Sequence, residues 1–242
     1  MTGILLGGGE GVRLRPLTDD RPKVMLPIGD RPVLEHNLRM LQAAKISDII
    51  ITLYYRPEAI TGYFKDGSRF GVSIRYSRQE DLRGSAGDVK RIRADMTSPF
   101  VVVYGDNFSN CSLARVLEYH AGSGGMATVV LFDAEKNPNS RISGGCARLE
   151  AGTNRILQFI EGKGSRTRYV NAGIYVLEKE VAGYIPENTA YDFGRDLFPL
   201  LVREGKEIYG YLMPEDEYLF GIDTVECYER TTAFYKNRLR KA

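Results

Sequence analysis

Long apolar runs, cysteine and histidine are all scarce in this chain, and each scarcity closes off a class of protein. No stretch of the 242 residues approaches the roughly 18 to 20 apolar positions that span a bilayer. Met1-Thr2-Gly3 runs straight into Ile4-Leu5-Leu6, with neither the basic start nor the long apolar segment of a secretory leader. Cys111, Cys146 and Cys227 are odd in number and widely spaced, and they match neither a disulfide framework nor a zinc pattern. A reducing, cytoplasmic location is therefore expected. A charge excess is missing too: 33 Lys and Arg against 31 Asp and Glu leave +2, which argues against gripping nucleic acid through a broad basic face. The small basic tail of Arg238, Arg240 and Lys241 reads as a solvated helix end favoured by the dipole. His36 and His120 are the two histidines. Both fall on expected helices in packing or capping roles.

What is present is the alternation of an α/β protein. With 43% apolar residues the chain can bury a sizeable core as one domain, 1–242. Short β-branched runs alternate with segments of helical period, the signature of a mixed, mostly parallel central sheet flanked by helices, Rossmann-like in plan. Strands are expected at Gly3–Leu6, Asp48–Leu53, Val72–Tyr76, Phe100–Tyr104 and Met126–Leu131. Helices are expected after Pro32, where Leu34, Leu38 and Leu41 share a face, and around Pro57–Phe64, Ala86–Ala94 and Ser112–His120. Phe100-Val-Val-Val-Tyr104 is apolar throughout, as suits a central strand, and stops at Gly105-Asp106, which places an acid at the sheet's carboxyl edge. Beyond Asp133 the elements shorten, near Cys146–Leu149, Ile156–Phe159 and Tyr169–Leu177. This suggests a smaller substrate-facing subregion over about 132–185, between a first part at about 1–131 and a return to the core at about 186–242. That return comprises a helix near Gly194–Glu204, a strand at Glu207–Leu212 and a last helix at about Val225–Leu239.

The segment from Leu6 to Ile28 carries the strongest chemical signal. Glycines at 7, 8, 9 and 11 leave an apolar strand, and Arg13 and Lys23 follow. Glycines strip side chains from one turn so that backbone N–H groups can face phosphate oxygens, and the two cations add fixed positive charge. The Walker loop fails here, because Val12 and Arg13 stand where a lysine must follow the last glycine. The dinucleotide fingerprint fails as well, since its sixth position is Val12 and Pro16 interrupts the helix it needs.

The motif that remains, Gly8-Gly9-x-Gly11-x-Arg13-Leu14-x-Pro16-Leu17-Thr18 with Arg21-Pro22-Lys23 and Met25-Leu26-Pro27-Ile28, resembles that of the sugar-phosphate nucleotidyltransferases, or NDP-sugar pyrophosphorylases. The resemblance extends over nearly the whole chain and implies the nucleotide-diphospho-sugar transferase fold. It implies that Leu6, Gly8, Gly9, Gly11, Arg13, Gln79, Gly84 and Ser85 meet the nucleotide, the last two within Gly84-Ser85-Ala86-Gly87. Asp106 resembles the family's metal-holding acid. Gly145, Glu161, Lys163, Asn171 and Gly173 would line the sugar pocket, although Gly162 intrudes between Glu161 and Lys163 where the family runs Glu-Lys-Pro. Asp192-Phe193 through Asp196-Leu-Phe-Pro199 resembles a structural helix entrance.

One departure matters most. Where the family commonly reads Asp-Ile-Gly-Thr-Pro-Glu, this chain reads Gly221-Ile222-Asp223-Thr224-Val225-Glu226. If the stretch is extended, positions 221 and 223 project to the same side, so Asp223 is expected as the second ligand of Mg2+, against the rival that it caps the last helix.

The implied reaction joins a nucleoside triphosphate to a sugar 1-phosphate, with Arg13, Lys23 and Asp106 as catalytic residues and no general base, since the attacking phosphate is already ionised. Gly-Ser-Ala-Gly resembles the loop of mannose and heptose 1-phosphate guanylyltransferases, which favours GTP; the Asp223-Thr224 pair resembles a cytidylyl subset. Cytidylyl, uridylyl or thymidylyl transfer to a hexose 1-phosphate remains open, as does an inactive sugar-nucleotide-binding regulatory subunit. A cytidylyltransferase of choline phosphate or phosphonate acceptors is disfavoured by Asn171-Ala172-Gly173. Relatives are often dimers or tetramers, which makes a homo-oligomer an expectation. No β-helix or acyltransferase domain follows the last helix, so a second activity is not expected.

Overall fold

The computed structural model describes residues 1–139, 144–161 and 168–239. In chain order the elements are β1 (Thr2–Leu6), β2 (Pro27–Ile28), β3 (Arg31–Pro32), α1 (Val33–Ala43), β4 (Asp48–Leu53), α2 (Pro57–Phe64), β5 (Ser73–Arg78), α3 (Gly84–Arg91) and β6 (Phe100–Tyr104). There follow β7 (Asn107–Ser109), α4 (Leu113–Ser123), β8 (Ala127–Asp133), β9 (Cys146–Leu149), β10 (Ile156–Ile160) and β11 (Tyr169–Leu177). The chain closes with α5 (Phe198–Arg203), β12 (Ile208–Leu212), β13 (Leu219–Gly221) and α6 (Val225–Leu239).

Among the described residues nine strands form one sheet. β5, β4, β1 and β6 are parallel neighbours in that order. β11 then pairs antiparallel with β6, β8 and β9. β12 returns parallel to β8, and β10 extends the sheet beyond β9. The shorter elements after Asp133 are thus built onto the same sheet. Val101, Val102 and Val103 of β6 are fully buried, each contributing about 2 kcal/mol relative to exposure. They bury on both faces: Val101 and Val103 against α1 and α4, Val102 against the layer holding Phe193 and Phe198. Leu34, Leu38 and Leu41 of α1 are fully buried, as their spacing predicts.

Two features escape a reading of local pattern. The helix expected near Gly194–Glu204 opens with a wider, π-type turn at Phe193–Leu197 before α5. Asp192 accepts hydrogen bonds there from Gly194 N and Arg195 N, the entrance role expected of it. β7 and β13 form a separate two-stranded ladder, pairing Asn107 with Gly221 and Phe108 with Phe220. That ladder fastens the C-terminal segment to the end of β6.

Candidate active site

Ligands of open α/β sheets gather outside the carboxyl ends of the strands, and here two central strands deliver the site. β1 ends at Leu6 and releases the glycine loop; the adjacent β6 ends at Tyr104 and releases Gly105-Asp106. The strands are tied beyond their ends by Gly105 N donating to Leu6 O at 3.0 Å. A side chain at 105 would meet that oxygen at 2.6 Å, so glycine is required for the close approach. Gly11 has φ +71°, and a Cβ there would press on Lys23 Cβ at 2.9 Å. Glycine at this position lets Lys23 fold back under the loop.

The Lys23 ammonium is the centre of the site. It is in contact with the Asp106 carboxylate and lies 2.6 Å from Asp223 Oδ1, bridging two acids that are 117 residues apart in the chain. Burial would push the Lys23 pKa down, but the charges and hydrogen bonds of Asp106 and Asp223 overcome it and hold the ammonium above its ordinary value. Arg13, largely exposed, reaches Asp223 at 3.5 Å.

Asp223 arrives by an unexpected route. The strand stops at Gly221, Ile222 N donates to Asp106 O at 3.2 Å, and Asp223 lies in the bend beyond. The i, i+2 relation of an extended strand therefore does not place it; the β7–β13 ladder does. The last helix is capped instead by Thr224, whose Oγ1 accepts from Cys227 N at 3.2 Å. This leaves the Asp223 carboxylate to the site.

Two cavities meet at this point. The first, of about 270 Å³, is lined by Leu6, Gly8, Gly9, Lys23, Leu82, Gly84, Ser85, Asp88, Tyr104 and Asp106, among others. The second, of about 190 Å³, is lined by Tyr104, Asp106, Asn107, Gly144, Gly145, Glu161, Asn171, Gly173, Asp192 and Asp223. Tyr104 and Asp106 form the shared wall. Of the expected nucleotide residues, Leu6, Gly8, Gly9, Gly84 and Ser85 thus gather in one cavity while Gly11 and Arg13 line neither, and the expected sugar residues Gly145, Glu161, Asn171 and Gly173 gather in the other. Lys163 lies outside the described residues.

Several of these residues also have partners within the protein. The Ser85 hydroxyl donates to Asp192 Oδ2 at 2.6 Å, and Ala86 N and Gly87 N both donate to Tyr191 O. Gly84 (φ +71°) has no room for a side chain, because a Cβ would sit 2.6 Å from Tyr191 O. The second glycine loop is therefore also a docking joint between the two cavities. Gln79 does not line the first cavity; it is buried, with Oε1 accepting from Arg91 at 2.6 Å and Nε2 donating to Ser77 Oγ. Asn171 donates to the Tyr175 hydroxyl at 2.8 Å and accepts from Gly173 N, at an irregularity in the β11–β8 pairing. Glu161 Oε2 sits where a Cβ on Gly145 or Gly194 would reach it at 2.2 Å. Partial burial and the Asp192 carboxylate raise its pKa. His36 and His120 are packing residues: His36 meets Ile28 O and the Phe108 ring, and His120 meets Thr128 and Glu178.

Sequence reasoning missed Tyr104 as a wall of both cavities and Asp88 as a buried acid in the first. The signal for Asp88 was adjacency alone, an acid directly after Gly84-Ser-Ala-Gly87.

The donor set suits a magnesium ion. Among the described residues no group of three or more His, Cys, Asp and Glu could hold a metal. Asp106 and Asp223 nevertheless converge on a single cationic atom. Magnesium is commonly held by one or two carboxylates, with substrate phosphates and water completing its shell.

A glycine loop leaving the first strand, with Asp106 at the carboxyl edge of the next, defines an open α/β sheet protein with its clefts at that edge. Residues 2–230 match the model of the nucleotidyl transferase family, and the chain belongs to it. It is 33% identical over 228 residues to a UTP–glucose-1-phosphate uridylyltransferase of Synechocystis, covering 88% of this chain and 58% of the relative. It is 32% identical over 233 residues to a mannose-1-phosphate guanylyltransferase of Mycobacterium tuberculosis, covering 95% and 63%. The chain thus spans about three fifths of the length of these relatives. A Bacillus anthracis crystal structure, assigned as a glucose-1-phosphate thymidylyltransferase, shares the fold with a TM-score of 0.84 at 24% identity over 98% of this chain and 96% of that one. No helix among the described residues is long and apolar enough to cross a membrane.

Proposed function

We propose that this protein transfers a nucleotidyl group from a nucleoside triphosphate to a sugar 1-phosphate, releasing pyrophosphate. GTP with a mannose- or heptose-type 1-phosphate is the favoured pair. The observation that carries the reading is the meeting of Lys23, Asp106 and Asp223 at the wall between two cavities, one bordered by the glycine loop and the other by Glu161 and Asn171.

The triphosphate occupies the first cavity, with its phosphates against the backbone of Gly8 and Gly9. Arg13, largely exposed and 3.5 Å from Asp223, neutralises the departing pyrophosphate. Lys23 turns from the carboxylates to the α-phosphate as charge builds there. The sugar 1-phosphate lies in the second cavity, its hydroxyls met by Glu161 and Asn171 beside Gly145 and Gly173. One of its phosphate oxygens attacks the α-phosphorus, the bond to the β-phosphate oxygen breaks, and the electron pair leaves with pyrophosphate. No side chain need remove a proton, so the protein contributes positioning and preorganised charge. Magnesium held by Asp106 and Asp223 would supply Lewis-acid stabilisation of the α-phosphate, typically several kcal/mol. A cytoplasmic location belongs to the same proposal. The guanylyltransferase and uridylyltransferase relatives support nucleotidyl transfer and divide over the base.

The test is a matrix of nucleoside triphosphates against hexose and heptose 1-phosphates with Mg2+, read by pyrophosphate release. Pyrophosphate from one pairing well above the rest is expected. Saturable sugar-nucleotide binding with no pyrophosphate from any pairing overturns the reading in favour of a regulatory binder.

A further inference from the structure

We infer that Asp88 reads the base, and that its carboxylate selects guanine by accepting from N1–H and the N2 amino group together. The inference rests on the nucleotidyl-transfer reading and deepens it by assigning the base.

Asp88 lies on α3, 6% exposed, and lines the first cavity with Leu6, Gly8, Gly9 and Leu82. Leu6 and Leu82 offer apolar surface, and Gly8 and Gly9 carry no side chain. A planar ring can therefore enter between them. The carboxylate is poorly satisfied where it stands: its hydrogen bond from Arg83 N is 3.4 Å long. Arg91 and Arg83 act on it by charge, but the Arg91 hydrogen bonds go to Gln79 and Asp81 rather than to this carboxylate. Burial raises the Asp88 pKa to about 6, the behaviour of an acid short of donors. A buried acid in that state binds best to a ligand that brings two.

Base chemistry decides which ligand that is. Guanine presents two adjacent donors on one edge, N1–H and N2–H, matched to the two oxygens of a carboxylate. Adenine presents its amino group beside the N1 lone pair, and cytosine presents its amino group beside N3. Uracil and thymine flank their single N3–H with two carbonyl oxygens. An ionised carboxylate meets a repelling acceptor in each of those four. Gln79, the amide the family resemblance points to, has both ends engaged within the protein, so it does not compete for this edge.

The experiment measures binding directly, by calorimetry with Mg2+, of GTP, ITP, XTP, UTP and CTP to the wild type and to Asp88→Asn, alongside pyrophosphate release. Wild type is expected to bind GTP roughly 10- to 100-fold more tightly than UTP or CTP, the discrimination typical of a bidentate base contact. ITP, which lacks the N2 amino group, is expected to bind about 10-fold more weakly than GTP. Asp88→Asn is nearly isosteric and should lose GTP while gaining XTP, whose C2 carbonyl accepts from the new amide. A purely structural acid would not produce that gain. Equal weakening of all five nucleotides in the variant would mean that Asp88 holds the ribose or only the helix, and overturns the inference. Tight nucleotide binding without guanine preference in the wild type overturns it while leaving nucleotidyl transfer standing. Binding of none of the five overturns both.

Discussion

Lys23→Met removes the one charge that Asp106 and Asp223 share while keeping most of the buried stem. Lys23 is 10% exposed in its side chain, against 24% and 32% for the aspartates. Breaking a wholly buried ion pair costs about 3–5 kcal/mol, and a fully exposed one at most about 1 kcal/mol. The aspartates keep enough exposure to recover part of their hydration, so the loss falls between these limits, at about 2 kcal/mol. For a domain of this size that is a melting temperature lower by about 4–8 °C. The Lys23 pKa is raised above its ordinary 10.5. Its stabilisation is therefore complete below that value and is lost only as pH climbs past the folded-state value. The difference between wild type and variant should stay flat from neutral pH to mildly alkaline conditions. Mg2+ should separate the two further. In the variant Asp106 loses its ion-pair partner and Asp223 keeps only the exposed Arg13 at 3.5 Å, so the ion alone should raise its melting temperature; in the wild type the ammonium already stands between the carboxylates and the response should be small. Turnover should fall about 100-fold or more, as when one preorganised donor is removed. Scanning calorimetry with and without Mg2+, together with steady-state kinetics, reads all three quantities. Identical melting and Mg2+ response in the two proteins, or turnover near wild type, would refute the reasoning.

Thr224→Ala removes the cap of α6 and should cost about 1 kcal/mol, or about 2–4 °C in melting temperature; unchanged melting would show that the helix start is held by other contacts. Gly194→Ala sets a methyl 2.2 Å from Glu161 Oε2, at the end of a flexible side chain. The carboxylate should swing away without unfolding the protein. KM for the sugar 1-phosphate should rise about tenfold with KM for the triphosphate unchanged, and parallel rises in both would contradict this. Asp88→Asn also has a pH signature. Burial outweighs the Arg83 hydrogen bond and the Arg91 and Arg83 charges, with Asp81 adding to it, and raises the Asp88 pKa from 3.8 to about 6. Stability from the protonated acid is intact below 3.8 and lost as pH rises through 6. The variant, which cannot ionise, should gain on the wild type by about 2 kcal/mol between pH 4 and 7. Chemical denaturation at both pH values measures the gap, and a pH-independent difference would count against a buried, ionising acid.

How far the site was legible depends on whether its signal is local. The glycine loop was readable because four glycines and two cations within a short segment have few other uses. Asp106 was readable because it ends an unbroken apolar strand, and the helix α1 because Leu34, Leu38 and Leu41 keep one period. Asp223 was different. Its position depends on a ladder of three residues from each side, Asn107–Ser109 with Leu219–Gly221, and on one hydrogen bond from Ile222 N to Asp106 O. Runs that short carry no periodicity, and their partners are more than a hundred residues apart. The expectation that Asp223 faces Asp106 agrees with the structure, but extended-strand geometry was the wrong reason, because the strand ends two residues earlier. The second glycine loop shows the opposite limit. Gly84-Ser-Ala-Gly87 looks like a stretch cleared for a ligand, yet Gly84 is also forced by the carbonyl of Tyr191, and Ser85 is tied to Asp192. A glycine cluster in sequence says that something approaches the backbone closely; whether that is substrate, another segment of the chain, or both in turn is settled by long-range packing.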